Sequence, residues 1–136
     1  MKCFQCGKGT MAARDAEVRG EVRGETVVVR TEAMVCPRCG FQTLTDEQSG
    51  EYAARSADAY REGKGLLTGR ELRAIRDRLG MNQVAFAQYL KVGVASVKRW
   101  ELGLIQDQAM DELIRLRTDE RRAQRRRVAR RVAAAA

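Results

Sequence analysis

Gly80-Met81-Asn82-Gln83-Val84-Ala85-Phe86-Ala87, continued by Val92-Gly93-Val94-Ala95-Ser96-Val97-Lys98-Arg99-Trp100-Glu101-Leu102-Gly103, decides how the second half of the 136-residue chain folds. Asn82 is a good N-cap, because its short side-chain oxygen can close a free helix N–H, and Phe86, Ala87 and Leu90 then share one helical face. A further short helix presents Val94, Val97 and Trp100 inward and stops at Gly103. Two short helices joined by a tight turn have the pattern of a helix-turn-helix. Upstream, Leu72, Ile75 and Leu79 recur at i, i+3 and i+7 and give the preceding helix an apolar stripe that Gly80 can end. Downstream, a helix from about Asp107 is expected to turn Ala109, Met110, Leu113 and Leu116 inward. Glu101 is placed to pair with an arginine of the first of these helices, Arg76 or Arg73.

Working back toward residue 1, Gly63 and Gly65 flank Lys64 and free the backbone, so a helix is expected to stop near Gly63 and a hinge to lie over Gly63 to Gly65. That helix starts at Thr45-Asp46-Glu47-Gln48, a capping box in which Thr45 closes the Gln48 N–H and Gln48 reaches back. Before it, Glu17-Val18-Arg19 and Thr26-Val27-Val28-Val29-Arg30 have β-branched content, with Gly20 and Gly24 between them for a turn, and predict a small hairpin or meander.

The four cysteines form two identical pairs, Cys3-Phe4-Gln5-Cys6 and Cys36-Pro37-Arg38-Cys39, each followed by glycine, Gly7 and Gly40. C-x2-C spacing curls the backbone into a knuckle whose amides point at sulfur, so two knuckles can supply four thiolates around one structural Zn²⁺ per chain without a histidine. The glycines let the chain turn away without a Cβ clash. A closed four-cysteine site has no open position for a reacting water, and it would hold together a segment too small to keep its own core. The alternatives are two disulfides, which a reducing cytosol disfavours, a redox Cys-x-x-Cys, which is usually single and follows a strand, and iron.

The chain contains no His, which removes imidazole bases, Ser/His/Asp and Cys/His nucleophilic sites, and His-based zinc hydrolases. No catalytic residue is assigned, and the chain is expected not to be an enzyme. There is no run of about 18 apolar residues and no leader pattern, so a soluble cytoplasmic protein is expected, without a membrane partner. The net charge of +8 is uneven. Residues 1–63 carry 9 basic against 10 acidic side chains (−1), residues 64–114 carry 8 against 6 (+2), and residues 115–136 carry 9 against 2 (+7). Such an arginine-rich tail, helical in propensity but with little to bury, suits a polyanionic partner.

The helix-turn-helix resembles the Cro/repressor, or XRE-type, class, in which a Gln opens the second helix, a small Ala packs at the helix crossing and the recognition helix ends in Arg-Trp-Glu-x-Gly. Here these are Gln83, Ala87 and Arg99-Trp100-Glu101-Leu102-Gly103. In the major groove Ala95, Ser96, Lys98 and Arg99 would face base edges or phosphates, Arg99 could fork onto guanine, and Gln83 could clamp a phosphate. With the zinc unit and connecting helix, the whole resembles the MqsA antitoxin family, also called YgiT-type zinc-finger proteins. That resemblance implies an antitoxin of a type II toxin-antitoxin system. Its zinc domain would bind a toxin, an mRNA-cleaving ribonuclease, and its homodimer would repress its own operon at a palindrome of double-stranded DNA. Two departures are visible: the family's base-reading Asn falls on Ala95, while its Arg falls on Arg99, and the tail from Arg121 to Arg131 exceeds the family pattern. The expected class is α+β, mostly α. Its parts are a zinc-ribbon-like unit over 1–44 with Cys3, Cys6, Cys36 and Cys39 as ligands, a helical connector and hinge over 45–66, a helix-turn-helix domain over 67–118, and a basic tail over 119–136. The alternative function is a stand-alone zinc-containing transcriptional regulator without a toxin.

Overall fold

The computed structural model describes residues 1–118 and 132–134, so the tail reading falls almost entirely outside the described residues. A three-stranded antiparallel sheet precedes a series of helices, an α+β arrangement that is mostly α. Strands β1 (Ala12–Val22) and β2 (Glu25–Val35) form a hairpin in continuous register, from Ala12 opposite Val35 to Val22 opposite Glu25. The two-residue strand β3 (Gln42–Thr43) pairs with β2 only at Met34 and Val35. The hairpin is longer than its β-branched segments, because charged residues alternate with small or apolar ones well beyond them.

Its turn is Arg23-Gly24, both with positive φ (49° and 81°), the two-residue geometry that matches strand twist. Gly20, expected in the turn, lies inside β1. A Cβ there would stand 1.6 Å from the Tyr52 hydroxyl, so this glycine admits a neighbouring side chain. On β2, Val27, Val29, Thr31 and Ala33 alternate inward and are buried.

Helix α1 (Asp46–Lys64) begins with both halves of the Thr45 capping box formed and buries Ser56, Ala57 and Arg61. It stops near Gly63, at Lys64, and closes at Gly65, whose φ of 71° lets its N–H and that of Leu66 turn back to Glu62 and Arg61. Gly65 is the cap of α1, and the backbone beyond it is held by side chains. Arg115 donates to the Gly65 carbonyl, Gln106 to the Leu67 carbonyl, and the Leu67 and Gly69 N–H groups donate to Asp111 and Asp58.

Helices α2 (Gly69–Arg78), α3 (Gln83–Leu90), α4 (Val94–Leu102) and α5 (Gln108–Thr118) enclose a core of Leu67, Leu72, Phe86, Ala87, Leu90, Val97, Trp100 and Ile114. Asn82 caps α3 by accepting from the Ala85 N–H at 2.8 Å. The inner face of α5 differs from expectation. Ile114, Asp111 and Thr118 are buried, with Met110 at the margin, whereas Ala109 is exposed and Leu113 and Leu116 only half-buried. Asp111 turns inward because its carboxylate is satisfied by the Leu67 N–H, Gln106 and Arg115, which an apolarity count cannot register.

Candidate functional site

Two knuckles and the neighbouring strands bring the cysteines together. Gly7 N–H donates to the Cys3 carbonyl and Gly40 N–H to that of Cys36, each at 2.9 Å, with both glycines in the left-handed region that these turns need. The four sulfurs lie within 4.8 Å of one another and could hold a metal ion. The nearest approaches run between knuckles, Cys3 Sγ to Cys39 Sγ at 3.6 Å and Cys6 Sγ to Cys36 Sγ at 3.7 Å. Met11 is buried beside Cys3 and Cys36, with Cys6, Met34 and Phe41 at the margin, while Cys39 is exposed.

Backbone N–H groups set their acidity. Those of Gly9 and Lys8 pull the Cys6 thiol down to about 6, and those of Cys39 and Arg38 lower Cys36. Cys39 accepts from the Phe41 N–H, but burial and the surrounding sulfurs push it up to about 12. Four thiolates this close repel one another, and a bound cation would offset that repulsion.

Gly9 was not singled out in the sequence. A Cβ there would stand 2.3 Å from Cys36 Sγ and 3.1 Å from Arg38 Cβ, while its N–H donates to Cys6 Sγ at 3.4 Å. The legible signal was a second glycine two residues after the first knuckle's own.

The other predicted residues gather on α4 and at the start of α3. Ala95, Lys98 and Arg99 are exposed and Ser96 is half-exposed, while Val97 and Trp100 of the same helix are buried. Gly93 at the N-cap gives α4 no side-chain cap, which leaves its first N–H groups without a side-chain acceptor. Gln83, the first residue of α3, donates one amide N–H to Glu101 Oε2 at 2.9 Å. Glu101 is buried and also accepts from Arg76 at 2.8 Å, with Arg73 Nε at 3.5 Å and Arg73 Nη2 on its carbonyl, so both arginines named from the sequence meet it. This carboxylate fixes the end of α4 against α2 and α3.

A second buried charge has no counterpart in the sequence reading. Arg61, 1% exposed, donates to Asp58, to Gln106, and to the Trp100 and Leu104 carbonyls at 2.8–3.0 Å. It attaches α1 to the end of α4. No helix among the described residues is long and apolar enough to cross a membrane. In comparisons with known proteins, no curated protein matches the chain. A family model described as the antitoxin component of a bacterial toxin-antitoxin system, MqsA, matches residues 1–121.

Proposed function

The chain belongs to the MqsA family of antitoxins, and from that premise we propose that it neutralises a toxin through its cysteine-bearing sheet and represses its own operon through α3 and α4. The observation that carries the DNA half is the division of α4, with Lys98 and Arg99 outward and Val97 and Trp100 in the core. In this reading α3, its turn and α4 are a helix-turn-helix, and the start of α4 enters the major groove with Ala95, Ser96, Lys98 and Arg99. Arg99 reads a guanine through its fork. Gln83, steadied by Glu101, offers a second amide N–H to a phosphate. Ala95 cannot hydrogen-bond an adenine, so the operator differs there from the family's. A homodimer would set two such helices roughly 34 Å apart on an inverted repeat.

The metal is zinc, held structurally by Cys3, Cys6, Cys36 and Cys39. Sulfurs in a tetrahedron at a Zn–S distance of about 2.3 Å stand about 3.8 Å apart, and the 3.6 and 3.7 Å between the knuckles suit such a site. When bound, the ion supplies folding energy and no reacting position, in keeping with a binding protein of a reducing cytoplasm.

The test has two arms. Expression of the neighbouring short reading frame should arrest growth, and co-expression of this chain should restore it. Absence of toxicity from either flanking frame would favour a stand-alone regulator. On DNA, Arg99→Ala should cost about 1–3 kcal/mol and relax sequence preference. An unchanged operator affinity in a band-shift titration would remove α4 from the groove.

A further inference from the structure

Beside α1, on the edge of β2 away from β1, lies a cleft of about 540 Å³ lined by Thr31, Glu32, Glu47, Gln48, Glu51 and Arg55. Three features make it a receptor for something. Its lining carries three exposed carboxylates against one guanidinium; Glu51 pairs with Arg55 and Glu32 accepts from Gln48, while Glu47 has no partner among the described residues. Thr31 is 1% exposed, and its hydroxyl has no hydrogen-bond partner among the described residues, which is costly unless something completes it. The floor is the edge of β2, open at Glu32. By the alternation of an antiparallel ladder, the backbone groups of Arg30, Glu32 and Met34 face this side. β3 uses Met34, Arg55 Nη1 reaches the Arg30 carbonyl at 2.7 Å, and among the described residues no strand lies against Glu32.

A single metal ion does not fit. Among the described residues the cysteines are the one group of three or more candidate ligands whose atoms come within 4.8 Å of one another, so these carboxylates are too far apart to share a cation. An extended basic peptide does fit. Its backbone pairs with the free edge, and its Lys or Arg side chains lie against the glutamates, with a donor for the Thr31 oxygen. Resting on the toxin-binding reading above, we propose that this cleft takes an extended basic segment of the toxin. A toxin of the kind the resemblance implies, an mRNA-cleaving ribonuclease, would present cations to a polyanion, and the carboxylates here would compete for those cations in place of RNA.

The test measures binding of the purified ribonuclease to the full zinc-loaded chain by calorimetry, at several salt concentrations, with zinc content and melting temperature checked for each variant. The double variant Glu47→Lys, Glu51→Lys should bind at least tenfold more weakly, with a shallower salt dependence. Thr31→Val, which replaces an unpartnered hydroxyl by a methyl of the same shape, should raise the melting temperature of the free chain yet weaken binding several-fold. A merely structural threonine would give the first change without the second. Folded, zinc-loaded variants that bind within twofold of the natural chain would overturn the proposal. If the natural chain itself does not bind the ribonuclease, the toxin reading fails, and a hexa-arginine peptide then decides the cleft. Saturable binding lost in the double variant would uphold a basic-peptide site, and no binding would overturn it.

Discussion

Gly9 shows how little space the sulfur cluster leaves. Its backbone is unstrained, so the requirement is for room alone: a methyl group 2.3 Å from Cys36 Sγ must displace either that sulfur or the first knuckle. Gly9→Ala should therefore lower the metal content below one ion per chain, measured by elemental analysis after dialysis, while a full complement would show that the sulfur can yield. The knuckles themselves were plain in the sequence, because cysteine spacing and the glycine after each pair are local signals. Gly9 was not, since its constraint comes from a residue 27 positions away. The same holds for Gly20, which reads as a turn glycine locally and is needed for Tyr52 of a distant helix.

At the scale of elements, the helices whose ends carry their own chemistry were legible. Thr45 with Gln48, and Asn82, cap α1 and α3 as their side chains dictate, and Thr68 with Glu71 forms the same reciprocal box on α2. The inner face of α5 lies about one position from the one its apolar spacing predicts, because Asp111 faces inward. Burial opposes the charge of this carboxyl, but the Leu67 N–H, Arg115 and Gln106 outweigh it and hold it below the usual carboxylate range. A depressed carboxyl stabilises the fold above the unfolded value of about 3.9, and that contribution is lost as pH falls through the folded value. Urea unfolding at pH 6 and pH 3 should show a smaller loss of stability on acidification in Asp111→Asn than in the natural chain. Equal losses would mean that the carboxylate is not held down.

For the whole molecule, α1 is shared between the two halves. Ala57 and Ser56 are buried in it, Gln48 and Arg55 reach Glu32 and the Arg30 carbonyl on the sheet, and Arg61 reaches the end of α4. At the hairpin turn Arg23 lies over the Tyr60 ring and donates to the Ile105 carbonyl, and Glu25 pairs with Lys64. Arg61→Leu leaves Asp58 without its ion-pair partner and the Leu104 carbonyl and Gln106 amide oxygen without donors, and should cost on the order of 3 kcal/mol. A midpoint shift under 1 kcal/mol in urea would show that solvent replaces the guanidinium. None of this was visible in composition or periodicity, since a buried arginine reads as one more charge on a polar helix.

The position of the metal ligands also orders events in time. All four sulfurs come from residues 3 to 39, ahead of α1 and of every helix that packs on it. At roughly 5–20 residues per second, a ribosome takes about two to seven seconds to pass from Cys6 to Cys39. The four cysteines can thus meet a metal ion while α3, α4 and α5 are still unmade. If the proposed metal site is filled as the chain emerges, metal supply acts on this protein at its synthesis, and a shortage is felt in newly made chains before any finished molecule releases its own ion.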